Sequence, residues 1–287
     1  MWVVTCDPGI DDAVALAVAA GLPGFGPVAV VGGAGNVPAG TAWRNAVGMA
    51  ALLGLDVPVG LGDESALDGT PITRGPSSHG GDGLGGLAYR LPAHRGAPPD
   101  GEAFVRGDVV ATGPLTEVAR ALRADNPVER VVWMGGSTPL ADGVDPAGGE
   151  FNAAADPLAV DEVAASGAEL AIVPIEVTAQ VTFGVDDIAL WRTGPPVAQL
   201  CADLVARRVA GGTGAGPTCL HDPVAVVAAA EPHLFRWEDG RVRCRPDGTL
   251  VPDPRGGPAR IAIAVDAVAV RRTVVSVVSI VAADDPR

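Results

Sequence analysis

The chain contains no lysine. All 20 of its basic residues are arginine, set against 34 acidic ones, which leaves a formal net charge of −14. Binding a nucleic-acid backbone needs a basic face, so this balance argues against a nucleic-acid partner. Without lysine there is also no P-loop, whose lysine reaches the phosphates of a bound nucleotide. The all-arginine set itself reads as compositional bias, not as a functional device. Cysteine is scarce: Cys6, Cys201, Cys219 and Cys244 lie far apart with no CxxC spacing. That pattern suits reduced thiols better than a disulfide framework. Long apolar runs are missing as well. Stretches such as Val28–Val31 fall well short of the roughly 18–20 residues that span a bilayer. No basic segment leads into the first apolar run, so no signal peptide is expected. The expectation is a cytoplasmic protein without a membrane partner.

What is present is apolar and periodic. Hydrophobic residues make up 48% of the 287 and charged ones 19%, the composition of a well-buried globular core. "WVV" leads into the helical pattern of "DDAVALAVAAG", and "PVAVVGGAGN" leads into "TAWRNAVGMAALLG". "DVVATG" precedes "PLTEVARALRA", "RVVWMGG" precedes "DPLAVDEVAASG", and "ELAIVPIEV" follows. Continuously apolar strands alternating with helices predict an α/β fold with an open, mostly parallel central sheet covered by helices on both faces. Near the end, "ARIAIAVD" and "RRTVVSVVSIV" read as a small antiparallel pair. With no repeat and no linker, residues 1–287 are read as one domain. The stretch 62–101, centred on "SSHGGDGLGG", reads as a mobile functional loop that orders around substrate.

In an open parallel sheet, ligands bind beyond the carboxyl ends of the strands. The conspicuous motifs fall there: "TCDPG", "GGAGN", "ATGP" and "WMGGS" each follow a predicted strand. The first of them raises a problem of charge, because Asp7, Asp11 and Asp12 crowd within six positions. A hard divalent cation binding carboxylate oxygens turns that crowding into attraction. Asp11 and Asp12 at a helix start would also be favoured by the macrodipole, so capping is the plainer alternative for that pair. The second pair, Asp186-Asp187, reads as a helix cap. His94 and His233 read as ordinary surface or core histidines, and the tryptophans as core.

"DPGIDDAVAL" resembles the signature of the nucleoside hydrolases of the inosine-uridine-preferring group. The resemblance runs over most of the chain in the same order: "GGAGN" with "RNA", "HGGDGLGG", "ATGPLTEVARAL", "VVWMGG", "EFNAAADPLA" and "HDPVAV". It implies a calcium-dependent N-ribohydrolase, homodimeric or homotetrameric, acting on small ribonucleosides. By the same resemblance Asp7, Asp12 and Asp222 are the calcium carboxylates, and Thr112 supplies a backbone carbonyl. Asp11 takes the ribose 2′-hydroxyl, Asn152 the 3′-hydroxyl and Glu150 the 5′-hydroxyl. Met134 packs by the sugar and Asn36 lies beside the metal cluster. The chain departs from the family at Thr5, where an aspartate is usual. It departs again at Val144, where an asparagine is frequent, and at Ala179, where a histidine often follows "VT".

The chemistry agrees with that set. Cleaving an N-glycosidic bond builds positive charge on the ribose, which carboxylates stabilise as it develops. Asp7 is the expected general base, and His221, beside Asp222, the expected proton donor to the leaving base. His79, in the glycine loop, is a candidate contact to the nucleobase. Neither base-facing segment contains tryptophan, which tilts the expected preference toward pyrimidine ribonucleosides or broad specificity. Two other readings stay open: a metal-dependent phosphohydrolase, and a catalytically silent nucleoside- or ribose-binding relative.

Overall fold

The computed structural model describes residues 1–72, 79–141, 148–211 and 216–281. Its centre is a nine-stranded sheet built from β1 (Trp2–Cys6), β2 (Pro27–Gly32), β3 (Val59–Leu61), β4 (Gly107–Ala111), β5 (Val128–Met134), β6 (Glu169–Val173), β9 (Phe235–Cys244), β10 (Leu250–Pro252) and β11 (Gly257–Val265). The order is β10-β9-β11-β6-β5-β4-β1-β2-β3. Six neighbouring pairs, from β3 across to β11, are parallel, and β9 pairs antiparallel with both β11 and β10. Two short strands, β7 (Thr182–Phe183) and β8 (Thr218–Cys219), form a separate antiparallel ribbon.

Helices cover both faces. On one side lie α1 (Ile10–Gly21), α8 (Pro196–Gly211), α9 (Asp222–Ala230) and α10 (Ala267–Ile280), with α2 (Ala39–Leu52) and α7 (Val185–Trp191) beside them. The other face carries α3 (Thr116–Arg123) and α5 (Pro157–Ala165), with the short α4 (Phe151–Ala155) leading into α5; the short α6 (Ile175–Thr178) follows β6. The ten residues Ile10–Ala19 of α1 are all buried, because α1 is packed between the sheet and α8, α9 and α10. This explains why α1 is apolar all round: a helix with neighbours on every side has no solvent face to mark. Its alanines keep those neighbours close.

The expected antiparallel pair at the end is corrected. "ARIAIAV" lies in β11, but "RRTVVSVVSI" lies in α10. The β-branched valines favour a strand by propensity, yet the buried positions Val270, Val274, Val277 and Val278 repeat at helical spacing. Asp266 caps the helix by accepting from the Ala269 N–H at 3.0 Å. The antiparallel character belongs instead to β9, β10 and β11, at one edge of the main sheet.

The strand order reverses between β1 and β4: chain order runs outward through β2 and β3 on one side and through β4, β5 and β6 on the other. In register, Thr5 of β1 faces Ala111 of β4. The segments leaving these two strands therefore diverge and open a crevice at their carboxyl ends, the place where doubly wound sheets bind ligands.

Candidate active site

The turn Asp7-Pro8-Gly9 carries the chain from β1 into α1 and sets four acidic side chains around the crevice. Asp7, Asp11 and Asp12 come from this turn and helix start, and Asp222 from the first turn of α9. All four are buried, none more than 4% exposed. Oxygens of Asp11, Asp12 and Asp222 lie within 4.8 Å of one another. Asp12 Oδ2 accepts from the Gly9 N–H at 2.8 Å and from Asn36 Nδ2 at 3.2 Å, while Oδ1 accepts from Thr112 Oγ1 at 2.8 Å. Asp7 Oδ2 accepts from the Asn36 backbone N–H at 2.6 Å. The last glycine of "GGAGN" follows from this closeness: a Cβ on Gly35 would stand 1.9 Å from Asp7 Oδ2.

Electrostatics separate these carboxylates. Burial, with Asp11 adding to it, pushes the Asp12 carboxyl up to about 6. Burial and the charges of Asp11, Asp12 and Asp7 drive Asp222 well above the carboxylate range. Burial acts on Asp11 in the same direction, but the Arg208 guanidinium, the largest opposing charge, overcomes it and holds Asp11 far below its ordinary value. The Arg208 guanidinium Nη1 stands 3.1 Å from Asp11 Oδ1, and His79 Nδ1 stands 3.6 Å from the same oxygen.

His79 is fixed from two directions. Its Nδ1 accepts from the Ile10 N–H at 2.9 Å, which leaves the ring proton on Nε2. Its own carbonyl accepts from the Gly85 N–H at 2.7 Å. Asp82 ties the glycine turn together, accepting from the backbone N–H of Leu84, Gly86 and Ala88 at 3.0, 2.9 and 3.1 Å. Asn45 of α2 donates to the Asp82 carbonyl at 2.8 Å. Residues 79–91 are thus a packed turn held by their own hydrogen bonds and by Ile10 and Asn45.

On the opposite wall, Asn152 Nδ2 donates to the Thr112 and Met134 carbonyls at 2.9 and 3.0 Å. Glu150 is the N-cap of α4. Its oxygens accept from the backbone N–H of Asn152, Ala153 and Gly136 at 2.9, 2.9 and 2.8 Å, so it clamps β5 to α4 while facing the cavity. His221 is held by Thr178, whose Oγ1 lies 2.8 Å from the ring Nδ1. The His221 backbone N–H points to Asp11 Oδ2 at 3.4 Å.

These side chains surround a cavity of about 280 Å³. Asp11, Asn36, His79, Thr112, Met134, Glu150, Asn152, His221 and Asp222 line it; Asp7 and Asp12 do not, and are buried behind the wall residues Asn36 and Thr112. The sequence reading missed Arg208 and Thr178. Arg208 sits in a helix with no motif around it, and Thr178 belongs to a four-residue helix whose only signal is "EVT". Thr5 shows what the family departure does locally: its Oγ1 is buried without a hydrogen-bond partner among the described residues. Val144 lies outside the described residues. Asp187 behaves as the expected cap, accepting from the Gly184 N–H at 2.8 Å and pairing with Arg271. His94 packs edge-on against Trp43, away from the cavity.

A parallel α/β sheet with a buried acidic cluster at its strand-order reversal is the architecture of the nucleoside hydrolases, a class of N-glycosyl hydrolases. The structure matches a plant nucleoside hydrolase, the PpNRh1 enzyme, with a TM-score of 0.87 at 26% identity over 97% of this chain and 98% of that one. A purine-preferring ribonucleoside hydrolase from Gardnerella vaginalis matches in fold, with a TM-score of 0.85 at 24% identity, over 97% and 98% of the two chains. In sequence, uridine nucleosidase 1 of Arabidopsis thaliana is 31% identical over 268 residues, 87% of this chain and 79% of that protein. The pyrimidine-specific ribonucleoside hydrolase RihA of Shewanella sp. (strain MR-7) is 32% identical over 258 residues, 83% of this chain and 80% of its own. The inosine-uridine preferring nucleoside hydrolase model matches residues 2–273, and the chain belongs to that family.

Proposed function

We propose that this nucleoside hydrolase is calcium-dependent and acts on ribonucleosides, pyrimidine ribonucleosides foremost. The observation that carries the metal requirement is the trio Asp11, Asp12 and Asp222, buried oxygen donors within 4.8 Å of one another. Like charges held that close in the interior are costly unless a cation compensates them, and an all-oxygen set suits a hard divalent ion. Asp7, Asp12 and Asp222, with the Thr112 carbonyl, would hold the calcium. When bound, calcium lowers the pKa of the attacking water and orients it against the sugar.

The protein's own groups do the rest. Asp7 accepts the proton of the attacking water. Asp11, kept ionised above all by Arg208, accepts from the ribose 2′-hydroxyl. Asn152, its nitrogen committed to two carbonyls, offers its carbonyl oxygen to the 3′-hydroxyl. The carboxylates stabilise the positive charge that grows on the sugar as the bond to the base lengthens. His221, steadied by Thr178, and His79 donate toward the leaving base. The names of the relatives in plants and Shewanella support the pyrimidine preference. Function as a cytoplasmic homodimer or homotetramer belongs to the same reading; a sedimentation run returning only monomer counts against the assembly.

The decisive assay is hydrolysis of uridine, 2′-deoxyuridine and inosine before and after chelation. Uridine turnover should disappear with chelator and return with calcium, and 2′-deoxyuridine should be a poor substrate. Chelator-insensitive turnover, or equal rates on uridine and its 2′-deoxy analogue, overturns the proposal.

A further inference from the structure

One guanidinium enters a cavity whose other described lining is carboxylates, amides, a threonine, two histidines and apolar groups. Arg208 is the only arginine among the described residues that line it, alongside Asp11, Glu150 and Asp222. Its side chain is 14% exposed, and its Nη1 approaches Asp11 Oδ1 to 3.1 Å. That contact is an ion pair without a formed hydrogen bond, because Nη1 is buried and has no hydrogen-bond partner among the described residues. A guanidinium carries five N–H donors in a planar fork, and a single carboxylate oxygen engages few of them. Arg208 shares Asp11 with His79 and with the His221 backbone, which places it beside the groups assigned above to the departing base.

The chemistry of the leaving group shows what such a cation can do. A purine has a basic ring nitrogen remote from the glycosidic bond and can depart neutral once that nitrogen is protonated. A uracil ring has none. When its C1′–N1 bond breaks, the bonding pair moves onto N1 and is shared with the adjacent O2 carbonyl. Water supplies the oxygen that bonds to C1′ and gives one proton to Asp7, and the uracil anion then gains one proton, so ribose and neutral uracil result. Arginine does not give up its proton. It therefore serves the departing base by charge and hydrogen bonding, a role distinct from that of a histidine proton donor.

We propose that Arg208 is the leaving-group residue of this site: its guanidinium, held on Asp11, takes the O2 carbonyl of the departing base and selects bases that leave as oxygen-bearing anions. Binding of the ribose 2′-hydroxyl gives Asp11 a hydrogen-bond donor, and the guanidinium N–H groups that Asp11 does not engage face the base. This inference rests on the ribonucleoside hydrolase reading.

The test compares kcat/KM for uridine, 5-fluorouridine, p-nitrophenyl riboside and inosine in wild type, Arg208→Gln and Arg208→Lys. 5-Fluorouracil and p-nitrophenolate are progressively better anions and need less help. Arg208→Gln should lose about 100-fold on uridine, the cost of one charge-stabilising donor. The loss should be smaller on 5-fluorouridine and smallest on p-nitrophenyl riboside and inosine, and Arg208→Lys should recover part of it. Because the result is a ratio between substrates in one preparation, the folded fraction cancels. An equal loss on all four substrates, including loss below detection on all, overturns the inference and leaves Arg208 as a positioning partner of Asp11. No loss on uridine overturns it as well. A wild type that fails to cleave p-nitrophenyl riboside tells against the ribonucleoside hydrolase reading itself.

Discussion

At Asp12 a single carboxylate caps a helix and joins an acidic cluster. One oxygen accepts from the Gly9 N–H and the other from Thr112, so the same side chain both caps the helix and stands in the acidic cluster. Asp7 has no capping role. Its carboxylate is aimed by the Asn36 backbone N–H, and Asp7→Asn should lower kcat by about three orders of magnitude, because it removes the general base; near-wild-type turnover excludes Asp7 from that role. Glu117 of α3 gives an independent test of burial. It is 6% exposed, and burial raises its carboxyl to about 7. The folded protein thus holds a proton that the unfolded chain releases near the ordinary value of 4.5. The associated stability is complete below that value and is lost as pH rises through about 7, to the extent of about 3 kcal/mol. Glu117→Gln should flatten the pH dependence of Tm between pH 5 and 8, in a scan of wild type and variant side by side.

Elements, rather than single residues, decide where the candidate groups sit. The turn 79–91 shows this best. Its glycines permit a tight path, but Asp82 is what keeps the path closed, by accepting from three backbone N–H groups. Hydrogen bonds of this charge-assisted kind make Asp82 a carboxyl below its ordinary value, against the opposing effect of partial burial. Asp82→Ala should cost about 2 kcal/mol and, by loosening His79, lower kcat/KM for uridine. Melting curves and steady-state kinetics on the same sample check both parts, and a variant with lower Tm but unchanged kinetics removes the turn from the site. α6 acts in the same way for the opposite histidine, since Thr178 at its end holds His221.

For the whole molecule, the sheet joins the site's parts from positions far apart in the chain: Asp11 and the His221 backbone meet across 210 residues. A cation bound at such a junction ties α1 to α9 and stabilises only the folded state. At calcium a hundredfold above Kd the gain is about 2.7 kcal/mol, visible as a rise in Tm. Protons compete for the same oxygens. Burial raises both the Asp12 and the Asp222 carboxyls above their ordinary value, so the calcium-dependent rise should grow toward alkaline pH and shrink toward acid pH. A Tm indifferent to calcium at pH 8 counts against the metal site.

The alternation of strands and helices, the turn after β1, and nine of the thirteen described residues lining the cavity were readable in the sequence. Apolar period and turn chemistry are local properties, and the motifs at the strand ends are short contiguous strings. Tertiary structure alone decided the rest. The valines of 270–278 form a helix because α1 and α9 bury one side of them, which outweighs their preference for strands. Glu150 is committed to three backbone N–H groups, a fact that requires β5 and α4 to meet. Arg208 and Thr178 entered the site without any motif, because what recruits them is the approach of α8 to Asp11 near the start of the chain and of α6 to His221. Local sequence sets what a segment can become; which side chains then meet is set by the packing that closes hundreds of residues onto one crevice.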